Sequence, residues 1–293
     1  NPSGSMKDRM ALAMIEAAEG DGRLKPGGHV IEYTGGSTGV SLALICAVKG
    51  YTISIATSDA FSIEKRNHMA ALGADLTIVP SAGGGMDEAL TRNMIEAARQ
   101  ITERTGGFWT NQLENADQIP AYHKMGDEIW EQAAGDVDAF VQSTGTAASA
   151  RGVAEALHRH NPKIHCVAVE PSESAVLSGG ESGMHKIEGI GAGFVVPLWK
   201  PDAVDEIATV STEEAMETAR QLARTEGIFA GTSTGGNVAT AIKLGRRLGR
   251  DATVVTVMCD SGVKYLSTAL YRDGLKAAKE WAERQRPPAG SVV

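Results

Sequence analysis

A lysine close to the start of the sequence is the residue best placed for covalent chemistry. Lys7 lies in NPSGSMKDR, between a Gly-Ser turn and an Asp-Arg pair, and an apolar helical run follows it directly. A lysine amine can hold a carbonyl compound as a Schiff base. Short motifs also recur by accident, and an isolated SxKDR is more simply a solvated charge in the first turn of a surface helix. The rest of the sequence must decide whether Lys7 is a Schiff-base lysine or a solvated surface charge.

Four loops rich in Gly, Ser and Thr are the second chemical feature. They occur in VIEYTGGSTGVSLALICA, FVQSTGTAASARGVAEAL, IEGIGAGFVVP and IFAGTSTGGNVATAIKL. The first two lie between a predicted strand and a predicted helix, where backbone N–H groups and hydroxyls can face an anion with no side chain in the way. Any one of these loops is most simply a tight turn with an N-cap. Four in one chain favour a bound ligand.

The motifs of the common nucleotide-binding proteins are not found. The sequence lacks GxxxxGK[ST], and it lacks a strand-linked GxGxxG followed by an acidic residue about 20 positions on. We therefore expect neither a nucleoside triphosphate nor a dinucleotide. A phosphorylated ligand at a helix N-terminus, together with a reactive lysine, fits pyridoxal 5′-phosphate, whose ring stabilises carbanions by withdrawing electrons.

Short apolar runs alternate with helical patterns along the chain. The predicted strands are HVIEY, TISIAT, DLTIVP, AFVQS, IHCVAVEP and ATVVTVM. Continuous apolar runs such as VVTVM are typical of strands covered by helices on both faces. The pattern predicts an α/β fold with mostly parallel, doubly wound sheets. A chain of 293 residues should form two domains, and RTGGFWTNQLENADQIPAYHK interrupts the rhythm, which places the boundary near Leu113.

The composition favours a small-molecule ligand. A formal net charge of -8 and the lack of a basic tract make nucleic acid and anionic membranes poor partners. The three cysteines lie far apart in apolar settings, which predicts buried thiols in a reducing compartment. No apolar run reaches the roughly 20 residues of a membrane span and no signal-peptide pattern opens the sequence, so we expect a cytoplasmic protein. His158 and His160 form an HxH at a polar helix end, and no metal site is expected there.

Seven blocks of the sequence together resemble a known family. They are NPSGSMKDR, TGGSTG, WTNQLEN with AYHKMGDEIWEQ, VAVEPSESAVLSGG, HKIEGIGAGFVVP, EGIFAGTSTGG and DSGVKYLSTALY. In this order they resemble the cysteine synthase (O-acetylserine sulfhydrylase) branch of the fold-type II pyridoxal-phosphate enzymes, which includes the cystathionine β-synthases. The resemblance runs from residue 1 to about residue 272. Chains of that family begin some tens of residues before the lysine, so the sequence is expected to be a fragment or to lack a recorded upstream part.

The resemblance implies an architecture. It implies a fold like that of the tryptophan synthase β subunit, with two doubly wound α/β domains and the cofactor cleft between them. Residues 1–112 would form a smaller N-terminal domain with the cofactor-binding lysine and the substrate loop. Residues 113–293 would form a larger domain with the phosphate loop and a serine that faces the pyridine nitrogen.

The resemblance also assigns roles to individual residues. Lys7 would bind the aldehyde of the cofactor, the loop 145–149 would hold its phosphate, and Ser261 would face the pyridine nitrogen. Ala147 and Ala148 replace two glycines of the family's phosphate loop, which adds only methyl groups. The implied cofactor-binding residues are Lys7, Ser37, Gly145, Thr146, Ala147, Ala148, Ser149 and Ser261.

The substrate loop departs from the family pattern. Residues 34–38 match the loop that closes over the substrate carboxylate, and Gln112 matches the glutamine that faces it. Ser37 replaces the asparagine with which family members hydrogen-bond the ring hydroxyl, and a serine hydroxyl reaches less far than an amide. The implied substrate-binding residues are Thr34, Gly35, Gly36, Ser37, Thr38 and Gln112.

The expected reaction is β-replacement on an activated serine, foremost O-acetyl-L-serine plus sulfide to L-cysteine plus acetate, with Lys7 as general base. The resemblance further implies a homodimer whose partners are a small amino acid and sulfide or another nucleophile. Two alternatives stay open at this point. One is a related β-replacing enzyme or lyase on the same scaffold, such as a cystathionine β-synthase or a dehydratase. The other is a binding protein that keeps the fold without turnover.

Overall fold

The computed structural model describes residues 1–274 and contains two four-stranded parallel sheets. The first sheet has the order β3-β2-β1-β4 and the second the order β7-β6-β5-β8. The elements up to the first sheet's last strand are α1 (Lys7–Gly20), β1 (His29–Tyr33), α2 (Ser37–Lys49), β2 (Thr52–Ser58), α3 (Ile63–Ala71), β3 (Asp75–Val79), α4 (Glu88–Thr105) and β4 (Phe108–Trp109). Those that follow are α5 (Ile119–Gln132), β5 (Ala139–Ser143), α6 (Ala148–His160), β6 (His165–Pro171), β7 (Glu206–Val210), α7 (Thr212–Gln221), α8 (Thr232–Leu248) and β8 (Val254–Thr256).

The strand order creates one switch point in each sheet. The chain runs outward from β1 through β2 to β3 and then returns to the other side of β1 as β4. The second sheet repeats this with β5 as its starting strand. In open parallel sheets, ligands bind beyond the carboxyl ends of the strands where the order reverses. The loops after β1, β4, β5 and β8 are therefore the ones placed to bind a ligand.

The central strands form because both of their faces are buried. All five residues of β5, AFVQS, are buried, and only the first residue of β1, HVIEY, is partly exposed. Outside the second sheet, α5 and α6 pack closely because two glycines permit it. A Cβ at Gly126 would lie 2.5 Å from the Ala156 Cβ, and one at Gly152 would lie 2.7 Å from the Tyr122 Cβ.

The α/β fold with parallel sheets is confirmed. The six strands predicted from the sequence are all present, and the structure adds the two-residue β4 and the partly exposed β7. The boundary predicted near Leu113 lies between β4 and β5, although residues 275–293 of the second predicted domain lie outside the described residues. All three cysteines are free and buried. No helix within residues 1–274 is long and apolar enough to cross a membrane.

A buried carboxyl group joins the middle of the first sheet to the segment that leaves it. The Glu32 side chain is fully buried and accepts hydrogen bonds from the backbone N–H of Tyr33 (2.8 Å) and of Gln112 (2.9 Å) and from the Thr110 hydroxyl (2.6 Å). Burial raises the pKa of Glu32 from 4.5 to about 7, and these hydrogen bonds oppose the rise.

Glu32 should give the fold a recognisable pH dependence. A raised folded-state pKa means that the folded protein holds a proton that the unfolded chain has released between pH 4.5 and about 7. The contribution of Glu32 to the free energy of unfolding should therefore fall across this window as the pH rises, by about 3 kcal/mol at most. In Glu32→Gln the amide cannot titrate, and it also turns an N–H group toward three donors, so the variant should be less stable at all pH values.

Urea unfolding of both proteins at pH 5 and pH 7.5 measures this effect. We expect the stability difference between the wild type and Glu32→Gln to be larger at pH 5 than at pH 7.5. A difference that does not change with pH would show that Glu32 keeps one protonation state throughout.

Candidate active site

A cavity of about 100 Å³ lies where the two switch points face each other. Its walls come from the loops after β1, β4, β5 and β8 and from the segment before α1. The predicted site residues that line it are Lys7, Thr34, Gly35, Gly36, Ser37, Thr38, Gln112, Gly145, Thr146 and Ser149. Residues from both sheets therefore meet at one site.

Lys7 is the first residue of α1, and the segment before it is anchored beyond the end of β8. The backbone N–H of Met6 donates to the Cys259 carbonyl (2.9 Å), and the N–H of Ser261 donates to the Gly4 carbonyl (2.9 Å). The Lys7 side chain is partly buried and borders the cavity, and its amine has no hydrogen bond or ion pair within residues 1–274.

This environment favours an uncharged amine. Desolvation lowers the pKa of Lys7 below its usual 10.5, although the nearby Cys259 and Asp260 oppose the shift. A lower pKa leaves a larger share of the amine unprotonated near neutral pH, and the unprotonated amine is the form that attacks a carbonyl group or removes a proton. The surface-charge interpretation of Lys7 therefore does not hold.

The loop 145–149 has the geometry of an anion site. It connects β5 to the first turn of α6, whose leading backbone N–H groups have no acceptor within the helix. A Cβ at Gly145 would lie 2.4 Å from the Gly189 carbonyl oxygen, so the loop approaches its neighbour as only glycine allows. The next basic residue, Arg151, donates to Glu155 (3.0 Å). The loop can bind a phosphate by backbone groups and hydroxyls.

One of the two alanines of this loop, Ala147, does more than add the expected methyl group, because it also strains the backbone. Ala147 precedes α6 with φ at +68°, a left-handed conformation that glycine adopts without strain and alanine does not. Neither Ala147 nor Ala148 lines the cavity. Any contact of these two residues with a phosphate would be through the backbone.

The loop 34–38 has a similar geometry at the start of α2. A Cβ at Gly35 would lie 2.6 Å from the Phe61 ring, and Gly36 has φ at +132°. Thr38 donates its hydroxyl proton to the Gln112 Oε1 (2.8 Å), and the Gln112 amide donates to the Tyr33 carbonyl (2.7 Å). With these side-chain donors already bonded, the first-turn N–H groups of α2 and the Thr34 hydroxyl are left to bind a carboxylate.

Ser261 is not placed as expected. It does not line the cavity, and its hydroxyl oxygen instead accepts from the backbone N–H of Val263 (3.4 Å). Ser233, in the first turn of α8, does line the cavity and is 5% exposed. The fourth glycine-rich loop, AGTSTGG, was the sequence signal for Ser233, because it gives α8 an N-terminus like those of α2 and α6.

A network of charged and hydroxyl groups that the sequence did not reveal closes the cavity. Lys65 of α3, only 2% exposed, pairs with Glu188 across the two sheets (2.7 Å), and its amine lies 4.0 Å from the centre of the Tyr265 ring. The Tyr265 hydroxyl donates to Asp260 (2.9 Å). Burial raises the pKa of Glu188, and the neighbouring Lys65 opposes that shift.

The predicted histidine pair lies away from this site. The ligand atoms of His158, Cys166 and Asp205 come within 4.8 Å of one another. The His158 Nε2 is hydrogen-bonded to the Ile164 carbonyl (3.0 Å), and Asp205 accepts from the Cys166 backbone N–H (2.7 Å). The His158 Nε2 and the Asp205 carboxylate already have partners in the protein, and the expectation of no metal site stays a prediction.

The residues around the cavity fit pyridoxal phosphate. An amine with a lowered pKa can take its aldehyde, and the start of α6 offers donors for its phosphate. The Thr144 hydroxyl, directly before the same loop, is buried without a hydrogen-bond partner and borders a smaller neighbouring cavity. A neutral hydroxyl, that of Ser233, is present at the start of α8.

The comparisons with known proteins agree with this fit. Residues 1–260 match the family model described as pyridoxal-phosphate dependent enzyme. A cysteine synthase of Staphylococcus aureus is 42% identical over 274 residues, which covers 92% of this chain and 86% of the relative.

Two solved structures are also similar. Cysteine synthase (OASS) from Entamoeba histolytica superposes with a TM-score of 0.85 at 36% identity, covering 93% of this chain and 80% of that one. The O-acetylserine dependent cystathionine β-synthase from Helicobacter pylori superposes with a TM-score of 0.86 at 32% identity, covering 92% of this chain and 87% of that one. The chain described here belongs to the family of pyridoxal-phosphate dependent enzymes, and its fold is that of the fold-type II members.

Proposed function

We propose that this enzyme is a cysteine synthase that converts O-acetyl-L-serine and sulfide into L-cysteine and acetate. The observation that carries the proposal is the position of Lys7 in one cavity with the N-termini of α2 and α6. That arrangement provides a reactive amine between a carboxylate site and a phosphate site. The names of the similar proteins from S. aureus and E. histolytica support the same reaction.

Each wall of the cavity has a part in binding the cofactor. In the proposed complex, the loop 145–149 binds the phosphate, Lys7 binds the aldehyde, and Ser233 faces the ring nitrogen in place of the predicted Ser261. When bound, pyridoxal phosphate withdraws electrons from the α-carbon of an amino acid. A hydroxyl beside the ring nitrogen stabilises a pyridinium less than a carboxylate would, which favours elimination over transamination.

The protein's own groups then handle the substrate. The start of α2 binds the substrate carboxylate, and the Lys7 amine removes the α-proton and later returns it. The lysines that line the cavity are Lys7 and Lys65, and Lys65 is already paired with Glu188. No arginine lines it within the described chain. The cavity thus suits the singly charged acetate better than a dianionic phosphate as the leaving group.

We also propose the assembly and the compartment. The resemblance supports a homodimer, and three free buried thiols support a reducing compartment such as the cytoplasm. The substrates in this proposal are a small amino acid and sulfide or another nucleophile.

The role of Lys7 is tested by Lys7→Ala. Without the amine the cofactor cannot bind covalently, so the variant should lose the visible absorbance that the cofactor acquires on a lysine and should lose turnover. Lys264→Arg is the matched control, because Lys264 is the other buried lysine close to Asp260. Visible absorbance retained in Lys7→Ala and lost in Lys264→Arg would transfer the role to Lys264.

The phosphate site is tested by Gly145→Ala and Arg151→Ala. The added methyl group at Gly145 would collide with the Gly189 carbonyl, so we expect cofactor affinity to fall at least about tenfold. Arg151 faces Glu155, so its removal should change affinity less than about twofold. Cofactor titration followed by fluorescence measures both. A large loss in Arg151→Ala would show that a guanidinium holds the phosphate.

The reaction is tested by presenting the loaded enzyme with sulfide and each of O-acetylserine, O-phosphoserine and serine. We expect cysteine from O-acetylserine at a kcat/KM at least about tenfold above that for O-phosphoserine, because the cavity lacks an unpaired cation for a dianion. Cysteine formed mainly from O-phosphoserine would contradict the proposed leaving group. If none of the three changes the spectrum or gives cysteine, the binding-protein alternative is favoured.

A further inference from the structure

Asp260 is a buried carboxylate in the cavity wall to which the proposed reaction assigns no role. It is 5% exposed, and within residues 1–274 no Lys, Arg or His lies within ion-pair distance of it. Its carboxylate accepts from the Tyr265 hydroxyl at both oxygens (3.1 and 2.9 Å) and from the Ser37 hydroxyl at Oδ2 (2.6 Å). A buried charge that is held by two hydroxyls keeps most of its field.

The bond to Asp260 fixes what Ser37 can offer a ligand. A serine hydroxyl has a single proton, and in Ser37 that proton points at the carboxylate. The oxygen can therefore only accept from the cavity. An asparagine, the residue that the family resemblance leads one to expect here, would offer two N–H donors instead. Ser37 and Asp260 together form a wall that accepts hydrogen bonds and carries negative charge.

This wall lies where a second substrate must approach. Ser37 belongs to the first turn of α2, which we propose binds the amino-acid carboxylate. Asp260 also acts on the Lys7 amine, whose proton affinity it increases. The amino-acid substrate lies between these two points, so a nucleophile that adds to it enters the field of Asp260.

None of the lysines that line the cavity forms an ion pair with Asp260. Glu188 is neutralised by Lys65 at 2.7 Å, and the Lys65 amine lies over the Tyr265 ring, whose hydroxyl donates to Asp260. Lys7 is the remaining lysine in the lining, and its amine is occupied by the reaction. Lys264 is another buried lysine near Asp260, but it does not line the cavity and forms no ion pair with the carboxylate within residues 1–274. A negatively charged nucleophile would thus meet a carboxylate without an ion-pair partner, whereas a neutral S–H group could donate to it.

We propose that Asp260 is a specificity-determining residue that selects neutral, proton-bearing nucleophiles and disfavours anionic ones. The inference rests on the proposed β-replacement reaction. Among nucleophiles it favours hydrogen sulfide and uncharged thiols over thiols that carry a carboxylate. Specificity of this kind arises from repulsion of the wrong partner as much as from attraction of the right one.

Two thiols of nearly the same shape make the test: 2-mercaptoacetamide, which is neutral, and thioglycolate, which carries one negative charge. The measured quantity is the kcat/KM for 2-mercaptoacetamide divided by the kcat/KM for thioglycolate, each with O-acetylserine, in the loaded wild type and in variants. Because the intrinsic reactivity of each thiol is the same for all proteins, a change in the ratio reports the cavity alone. Sulfide is run in parallel to establish the reaction itself.

In Asp260→Asn, a carbonyl oxygen still accepts from Ser37 while the charge is gone, so we expect the ratio to fall at least about tenfold. Asp260→Ser, a second neutral variant, should give the same fall if the first does not fold. Asp260→Glu keeps the charge and should restore most of the wild-type ratio. Asp202→Asn removes one exposed charge elsewhere and should leave the ratio unchanged.

The outcomes separate the two proposals. Product from sulfide, with a ratio that is the same in the wild type and both neutral variants, overturns the role of Asp260 and leaves the reaction in place. An equal fall of the ratio in Asp260→Glu would also overturn it, because shape and not charge would then be selected. No product from sulfide or either thiol in the wild type overturns the reaction, and the inference with it.

Discussion

The active site depends on one constraint of parallel sheets: every strand ends at the same edge, so the helices that follow begin at that edge. In this chain the constraint applies twice, because both sheets have the same order of strands. The start of α2 follows β1, and the start of α6 follows β5. When the two edges face each other, helix N-termini converge on one cavity. The anion-binding capacity of the site follows from the topology, before any side chain is specified.

The same constraint explains how a phosphate and a carboxylate can be bound without arginine. First-turn N–H groups bind an anion without adding a formal charge to the cavity, and they require small residues so that the anion can approach. The charged side chains around the cavity form one ion pair and one pair of neighbours without an ion pair. Lys65 and Glu188 neutralise each other at 2.7 Å, while Lys7 and Asp260 lie near each other without an ion pair. The amine that we propose to react is thus kept free of a direct counter-ion, and its pKa is lowered by burial.

Local sequence patterns predicted the parts of this site that lie within one element. Lys7 and the loops 34–38 and 145–149 each stand at a helix start that can be read from consecutive residues. Ser261 also precedes a turn, but the turn is a short 3-10 helix, Gly262–Tyr265, whose start the serine itself caps. The strand β4 was missed because two residues, Phe108 and Trp109, carry no periodicity.

Contacts between distant segments were the part that the sequence could not provide. The Ser37 and Asp260 side chains are separated by 223 positions, and Lys65 and Glu188 by 123. In the sequence alone, Asp260, Lys65 and Glu188 are each more simply solvated surface charges. Their burial follows from how the two sheets face each other, which no local pattern encodes. The sequence therefore predicted residues that meet at one cavity and missed the network that determines their charge environment.

The phosphate loop shows how the packing between the sheets tolerates a strained residue. Ala147 holds φ at +68°, which costs an L-amino acid other than glycine about 1–2 kcal/mol. Its methyl group is 1% exposed and packs in one apolar cluster with Tyr33, Leu113 and Val196. Burying a methyl group contributes about 0.8 kcal/mol, so packing offsets a large part of the strain. Tyr33 directly precedes the loop 34–38 and Leu113 directly follows Gln112, so the apolar cluster that buries the Ala147 methyl group also includes residues next to the other walls of the cavity.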